Sequence, residues 1–141
     1  MKRLTLILLL VVAAVSCTTK GPICVETPKR PAGQEDAILM TAPAIDTVRV
    51  GFIGLGMRGS SAVSRYLHIP GAKVAAICDI EPAMVEKTQE RLRRAGYPEV
   101  PSYTGSEDAW KQLCERDDID LVYVVTDWKN HAKMGVYAME H

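Results

Sequence analysis

Val48-Arg49-Val50-Gly51-Phe52-Ile53-Gly54-Leu55-Gly56-Met57-Arg58-Gly59 decides the fold. Val48, Val50, Phe52 and Ile53 form a short apolar run rich in β-branched and aromatic side chains, which predicts a buried strand. The run enters a G-x-G-x-x-G, and small, helix-compatible residues follow (Ser60, Ser61, Ala62, Val63, Ser64). Gly54 permits the tight turn after the strand. Gly56 presents no side chain to a pyrophosphate approaching the backbone, and Gly59 lets the next helix pack close to the sheet. The start of that helix offers N–H groups and the positive end of its dipole to phosphates.

The context around the glycines carries more weight than the motif itself. A second apolar run, Lys73-Val74-Ala75-Ala76-Ile77-Cys78, ends in Asp79, which lies 20 residues past Gly59. An acid at the tip of the second strand is placed to accept hydrogen bonds from both hydroxyls of an adenosine ribose. It repels a 2′-phosphate, so the expected cofactor is NAD rather than NADP. The plainer alternative is an ordinary strand-to-helix turn with Asp79 capping a helix. Strand, glycines, helix, strand and acid in this order favour the dinucleotide site.

Composition sets the outer bounds. The chain has 141 residues, 48% hydrophobic and 24% charged, with a formal net charge of zero. That balance gives no electrostatic case for a nucleic-acid partner, and the length supports one domain. Residues 1–16 read as a leader: Lys2 and Arg3 are followed by the apolar stretch Leu4 to Val15, too short for a comfortable membrane span. Ala14-Val15-Ser16-Cys17 resembles a bacterial lipobox, with Ala14 where leucine is commonest. The resemblance implies cleavage before Cys17, a lipid on its sulfur, and a mature protein held at a membrane of the bacterial cell envelope, outside the cytoplasm. A plain secretory peptide with an incidental cysteine is the alternative. Residues 17–47 carry Pro22, Pro28, Pro31 and Pro43 without a helical or strand period, which predicts a spacer.

From Val48 to His141 the pattern alternates strand and helix. The first helix runs to about Leu67 and stops before Pro70-Gly71. The second opens at Glu81-Pro82, and Met84, Val85, Thr88, Leu92 and Ala95 form its core-facing stripe, with Gly96 as C-terminal cap. Val100 to Tyr103 is a short third strand. A helix starting at Ser106 buries Trp110, Leu113 and Cys114. Ile119 to Val125 is the fourth strand, Thr126 to Asn130 a polar loop, and the last helix begins near His131. Four β-α units with short links predict a doubly wound parallel sheet of the α/β class. Strands one and four lie side by side at the switch in strand order, where ligands bind. Thr126, Asp127, Trp128, Lys129, Asn130 and His131 are therefore expected on the same crevice as Met57 and Arg58.

No cysteine has metal-ligand spacing, and Cys78 and Cys114 read as small buried hydrophobes. His68 ends a helix and His141 ends the chain, which leaves His131 either to touch cofactor or substrate or merely to start a helix.

These motifs together resemble the N-terminal nucleotide-binding Rossmann domain of the glucose–fructose oxidoreductase / inositol dehydrogenase (Gfo/Idh/MocA) superfamily. The likeness covers Val48 to His141. The superfamily pattern runs from the glycine turn through a strand ending in Asp to a DxVxxxTPxxxH-like stretch. Here the last element reads Asp120-Leu121-Val122-Tyr123-Val124-Val125-Thr126-Asp127-Trp128-Lys129-Asn130-His131, with Asp127 in place of proline. That departure, with GFIGLGMRG and TDWKNHA, is similar to glycoside hydrolase family 109, the NAD-dependent α-N-acetylgalactosaminidases.

The resemblance implies NAD contacts at Met57 and Arg58 in the turn, at Asp79, and at Trp128, Lys129, Asn130 and His131. It implies a glycoside substrate and a cycle in which NAD oxidises the sugar at C3, a base removes the C2 proton, the aglycone leaves C1, water adds, and C3 is reduced again. The family's next motif and its sugar-binding domain lie further along. The chain therefore reads as an N-terminal fragment with an incomplete sheet, inactive by itself, with strand four an unpaired apolar edge. The competing expectations are a sugar oxidoreductase with net hydride transfer and a non-catalytic nucleotide-binding lipoprotein.

Overall fold

The computed structural model describes residues 26, 29–34, 38 and 40–141. The predicted leader, the lipobox with Cys17, and Cys24 lie outside the described residues. The chain falls into two units, one up to Ala42 and one from Pro43 to His141. The second unit holds every element named below.

Its order is β1 (Val48–Ile53), α1 (Met57–Tyr66), β2 (Ala72–Cys78), α2 (Pro82–Arg94), β3 (Ser102–Tyr103), α3 (Ala109–Cys114), β4 (Leu121–Val124) and α4 (Trp128–Glu140). The strands form one sheet in the order β3-β2-β1-β4, and every pair is parallel. The predicted doubly wound α/β architecture is therefore present. β1 and β4 are neighbours, in register from Val50 opposite Leu121 to Ile53 opposite Val124.

Alternation along β1 splits the core between the two faces of the sheet. Val50 and Phe52 join Leu55, Val63, Val74, Ile77, Val85 and Leu92 on the face covered by α1 and α2. Ile53 joins Ala76, Cys78, Trp110, Leu113 and Cys114 on the other, where Met134 and Tyr137 of α4 pack against them. β2 breaks the period of two. Val74 and Ile77, three residues apart, share a face because the register jumps from Val50↔Val74 to Gly51↔Ala76 and leaves Ala75 as the extra residue. This is a bulge, and it explains how β2 serves both cores without strict alternation. The Tyr97 hydroxyl accepts from the Val74 N–H just before it. Phe52, Tyr66 and Tyr123 close the first core with ring centroids 5.2–5.7 Å apart.

Several element boundaries differ from expectation. In α2 the buried positions are Val85, Thr88, Gln89 and Leu92, whereas Met84 and Ala95 are exposed. Gln89 is inside because its carboxamide pairs with the backbone of Val100, donating to the C=O at 2.5 Å and accepting from the N–H at 3.4 Å. A buried polar side chain with both ends satisfied costs little. The third helix starts at Ala109 rather than Ser106, because the Ser106 hydroxyl accepts from the Asp108 N–H and forms a turn ahead of it. The last helix starts at Trp128, not near His131. Asp127 is its N-cap, accepting from the Asn130 N–H at 2.9 Å. β3 keeps two residues of the predicted four. β4 is shorter than predicted, although Asp120 and Val125 still donate to Arg49 and Ile53 of β1 beyond its ends.

The bottom of the β1–β4 pair is held by Arg49. Its Nε and terminal nitrogen donate to the two oxygens of Asp120 at 2.9 and 2.7 Å, and its backbone N–H adds a third bond at 2.7 Å. The side-chain bonds from Arg49, then its backbone bond, pull the Asp120 carboxyl down from 3.8 to about 2. A carboxyl lowered by folding contributes stability above its unfolded value, and that contribution is lost as pH falls through the folded one. Asp120→Asn is therefore expected to flatten the fall in melting temperature between about pH 4 and pH 2. An unchanged slope there would contradict this role.

Candidate functional site at the strand crossover

The site is built where β1 ends. Gly54 turns the chain with φ +93°, a conformation costly for other residues, and its N–H donates to Cys78 C=O at 2.8 Å. A Cβ on Gly54 would lie 2.2 Å from the Val125 carbonyl oxygen, and one on Gly59 would lie 1.8 Å from the Gly54 carbonyl oxygen. Gly54 and Gly59 are thus filled by backbone. Gly56 is different: a Cβ there meets nothing within 4 Å. Its missing side chain leaves space on the outer surface of the turn.

Gly56 is the N-cap of α1, and no side chain caps that end. The first turn holds no acid. The orphan N–H groups of this turn and the dipole behind them form an anion-receptive end. The open surface at Gly56 lies at the same place, which fits the demand of a diphosphate for close backbone approach.

Asp79 stands at the tip of β2. Its Oδ2 accepts from the Leu55 N–H at 2.6 Å and its Oδ1 from the Glu81 N–H at 2.9 Å. It therefore ties the glycine turn to the start of α2, a structural job that spacing alone did not reveal. Each carboxylate oxygen has a second acceptor site, so ribose hydroxyls can still bind. Asp79→Ala is expected to act twice. Loss of the two backbone bonds lowers the melting temperature of the free protein, and loss of the ribose acceptor weakens NAD by about 1.5–3 kcal/mol. Calorimetry and a melting curve on the same variant separate these effects, and unchanged NAD affinity would remove Asp79 from the site.

A cavity of about 480 Å³ opens beside the turn, on the face of the sheet covered by α3 and α4. Gly54, Gly56, Asp79, Thr126, Asp127, Lys129 and Asn130 line it, so seven of the sequence-predicted positions meet in one cavity. Met57 and Arg58 do not. They line a separate hollow with Ser61, Arg65, Tyr123 and Val125. The single crevice expected for all these residues is therefore divided, because the first turn of α1 lies on the opposite face of the sheet from α4. Trp128 is 97% exposed and Met57 is 87% exposed. Trp128 and His131 sit on the first turn of α4 and line neither space.

The cavity is also lined by residues not singled out from sequence: Ile80, Ser106, Glu107, Asp108 and Lys133. Asp79, Glu107, Asp108 and Asp127 outnumber Lys129 and Lys133 as charges in the lining. The Asn130 amide, side chain first, holds the Asp127 carboxyl below its ordinary value. Lys111 does the same for Asp108, and both acids are ionised at neutral pH. An acidic lining favours hydroxyl donors and disfavours an extra phosphate dianion.

Neither described cysteine supplies a nucleophile here. Both are free and buried, and burial pushes Cys78 up to about 12 and Cys114 up to about 11. A thiol so raised stays protonated and packs as a hydrophobe.

Comparison with known proteins gives the same outline. Residues 48–141 match the model of an oxidoreductase family with an NAD-binding Rossmann fold. The chain is 55% identical over 150 residues to "Glycosyl hydrolase family 109 protein 1" of Bacteroides thetaiotaomicron, an alignment covering 100% of this chain and 32% of that protein. It is 62% identical to a "Glycosyl hydrolase family 109 protein" of Porphyromonas gingivalis over 86% of this chain and 26% of that one. The chain thus spans a third or less of the length of these relatives. Among solved structures, myo-inositol dehydrogenase from Lactobacillus casei, in complex with NAD(H) and myo-inositol, aligns with a TM-score of 0.57 and 27% identity. That alignment covers 67% of this chain and 26% of the dehydrogenase.

Proposed function

The chain belongs to the Gfo/Idh/MocA oxidoreductase family, with its NAD-binding Rossmann domain at residues 48–141, and from that premise we propose that it forms the cofactor-binding part of an NAD-dependent glycosidase. The substrate class is α-N-acetylgalactosaminides or related glycosides. The single observation that carries this reading is the 55% identity to a family 109 glycosyl hydrolase protein over the whole of this chain.

Bound NAD supplies reversible hydride transfer at a sugar carbon, so that oxidation and later reduction at C3 leave no net redox change. The residues of this chain bind and orient it. The open surface at Gly56, on a turn shaped by Gly54 and Gly59, receives the diphosphate, with the N–H groups at the start of α1 donating to its oxygens. Asp79 accepts from the adenosine ribose, and the acidic cavity lining opposes a 2′-phosphate. Lys129 and Asn130 border the cavity from α4. Met57, Arg58, Trp128 and His131 join the site by family resemblance. The leader and lipidated Cys17 belong to the same reading, supported by Lys2-Arg3, the apolar stretch after them and Ala14-Val15-Ser16-Cys17. Labelling with palmitate that disappears in Cys17→Ser tests the anchor, and label retained in that variant contradicts it.

The structural likeness to myo-inositol dehydrogenase favours one second reading, a sugar oxidoreductase with net hydride transfer. One assay divides the two. The whole enzyme, with this chain as its cofactor-binding part, is incubated with an aryl α-N-acetylgalactosaminide and NAD, and phenol release is followed together with the near-ultraviolet absorbance of NADH. Phenol without accumulating NADH supports the glycosidase. NADH accumulating when a free sugar is supplied, with no phenol released from the glycoside, supports the oxidoreductase.

A further inference from the structure

Two hollows, of about 330 and 520 Å³, flank α1. Met57 and Ser61 line both, so the helix stands between them as a ridge. Arg58 and Arg65 border the first and Lys87 and Arg91 the second, and neither lining holds an acid. α1 and α2 together carry six cations against two acids, although the whole chain is neutral. Of those acids, Glu90 is taken by Arg93 and Arg94. Arg91 is fixed by one nitrogen, which donates to the Ser60 C=O at 2.8 Å and to the Ser64 hydroxyl at 3.2 Å. Arg65 donates to the Ser61 hydroxyl at 3.0 Å. Arg58 and Lys87 have no hydrogen bond or ion pair among the described residues. Four like charges around one helix repel, and no acid in either hollow offsets them.

A small anion cannot meet all four. Arg58 and Arg65 are about 10 Å apart along the helix, and the second pair lies across the ridge. An extended layer of anions can meet them together. Met57 stands on the ridge between the pairs and is 87% exposed, and Met84 borders the second hollow. Cations around a protruding apolar side chain suit a phospholipid surface, where phosphates lie above hydrocarbon.

We propose that the α1 ridge docks on an anionic phospholipid surface, with Arg58, Arg65, Lys87 and Arg91 over the headgroup phosphates and Met57 inserted between them. This rests on the reading that holds the chain at a membrane through Cys17, and it gives the folded unit a second, non-covalent hold. Stable anchoring commonly takes two signals, such as a lipid and a basic patch. The cofactor is not displaced, because none of these five side chains lines the cavity beside the glycine turn.

The test uses the full chain with Cys17→Ser, which takes no lipid, on vesicles of phosphatidylcholine alone and of phosphatidylcholine mixed equally with phosphatidylglycerol. Binding to the neutral vesicles, where the apolar leader alone can act, is the baseline. The excess on anionic vesicles is expected to fall about tenfold or more in Arg65→Gln/Lys87→Gln and to fade in high salt. Arg93→Gln/Arg94→Gln removes the same charge from positions that border neither hollow, and its excess is expected to stay within about twofold of the parent. Saturating NAD is expected to leave vesicle binding unchanged.

No excess on anionic vesicles would overturn the proposal. Equal losses in the two double variants would also overturn it, since net charge and not the ridge would then be acting. Release from vesicles by NAD or ADP-ribose would assign the cations to the cofactor diphosphate instead. Binding to polyglutamate in place of vesicles would assign the ridge to an acidic protein. Palmitate labelling of the parent tells failure of the ridge apart from failure of the anchor. Label without vesicle binding strikes the ridge alone, and vesicle binding without label strikes the anchor alone.

Discussion

Gly56→Val is expected to leave the protein folded and to weaken NAD binding about 150-fold. Glycine at this position has ordinary backbone angles, φ −59° and ψ −164° as the N-cap of α1, so no left-handed conformation requires it. A Cβ there meets nothing within 4 Å. In the free protein the substitution costs no more than the preference for glycine over valine at an N-cap, about 1 kcal/mol. The empty space belongs to the ligand. Two methyl groups placed against a diphosphate that must touch the backbone cost about 3 kcal/mol, which is roughly 150-fold in Kd. Calorimetry and a melting curve on the same sample check both halves. A variant that binds NAD normally would remove the glycine turn from the site.

Gly59→Ala is expected to do the opposite and to damage the fold itself. Its Cβ would lie 1.8 Å from the carbonyl oxygen of Gly54 and 2.8 Å from the carbonyl carbon. Both are backbone atoms, so no side chain can swing aside. Gly54 is itself closed in by Val125, whose carbonyl oxygen would lie 2.2 Å from a Cβ there, so it has little room to yield. α1 must then move off the sheet, withdrawing Ala62 and Val63 from the core. The expected loss is about 3 kcal/mol or more, the range for overpacking against backbone that cannot relax. For a folded unit of this size that lowers the melting temperature by about 12 °C or more. A drop of less than about 4 °C would show that the turn is softer than its geometry indicates. The three glycines of one motif therefore separate by experiment into two that shape the turn and one that admits the ligand.

Much of this was legible in the chain because period and punctuation agree. The apolar run at Val48–Ile53, the glycines and Asp79 gave the parallel sheet, the strand neighbours and the position of the crevice. Other features escaped for identifiable reasons. Gln89 looks like a surface residue until its two ends find the Val100 backbone, a partner 11 residues away in another segment. α4 starts at Trp128, earlier than the mostly polar composition of Thr126 to Asn130 suggests. The available signal was Asp127 followed three residues later by Asn130, a capping pair. The bulge at Ala75 has no signature in sequence, since every residue from Val74 to Cys78 is apolar and suits either face. The separation of Met57 and Arg58 from Lys129 and Asn130 depends on which face of the sheet each helix covers. Strand order gives the crevice but not that division.

The structure of the protein crystallised with NAD would test the central claim most directly. The expected electron density places the diphosphate over Gly56 at the start of α1, with the adenosine ribose hydroxyls on Asp79 and the cavity between Asp79 and Lys129 filled. Density for NAD elsewhere on the molecule, with this surface left to solvent, would contradict the account.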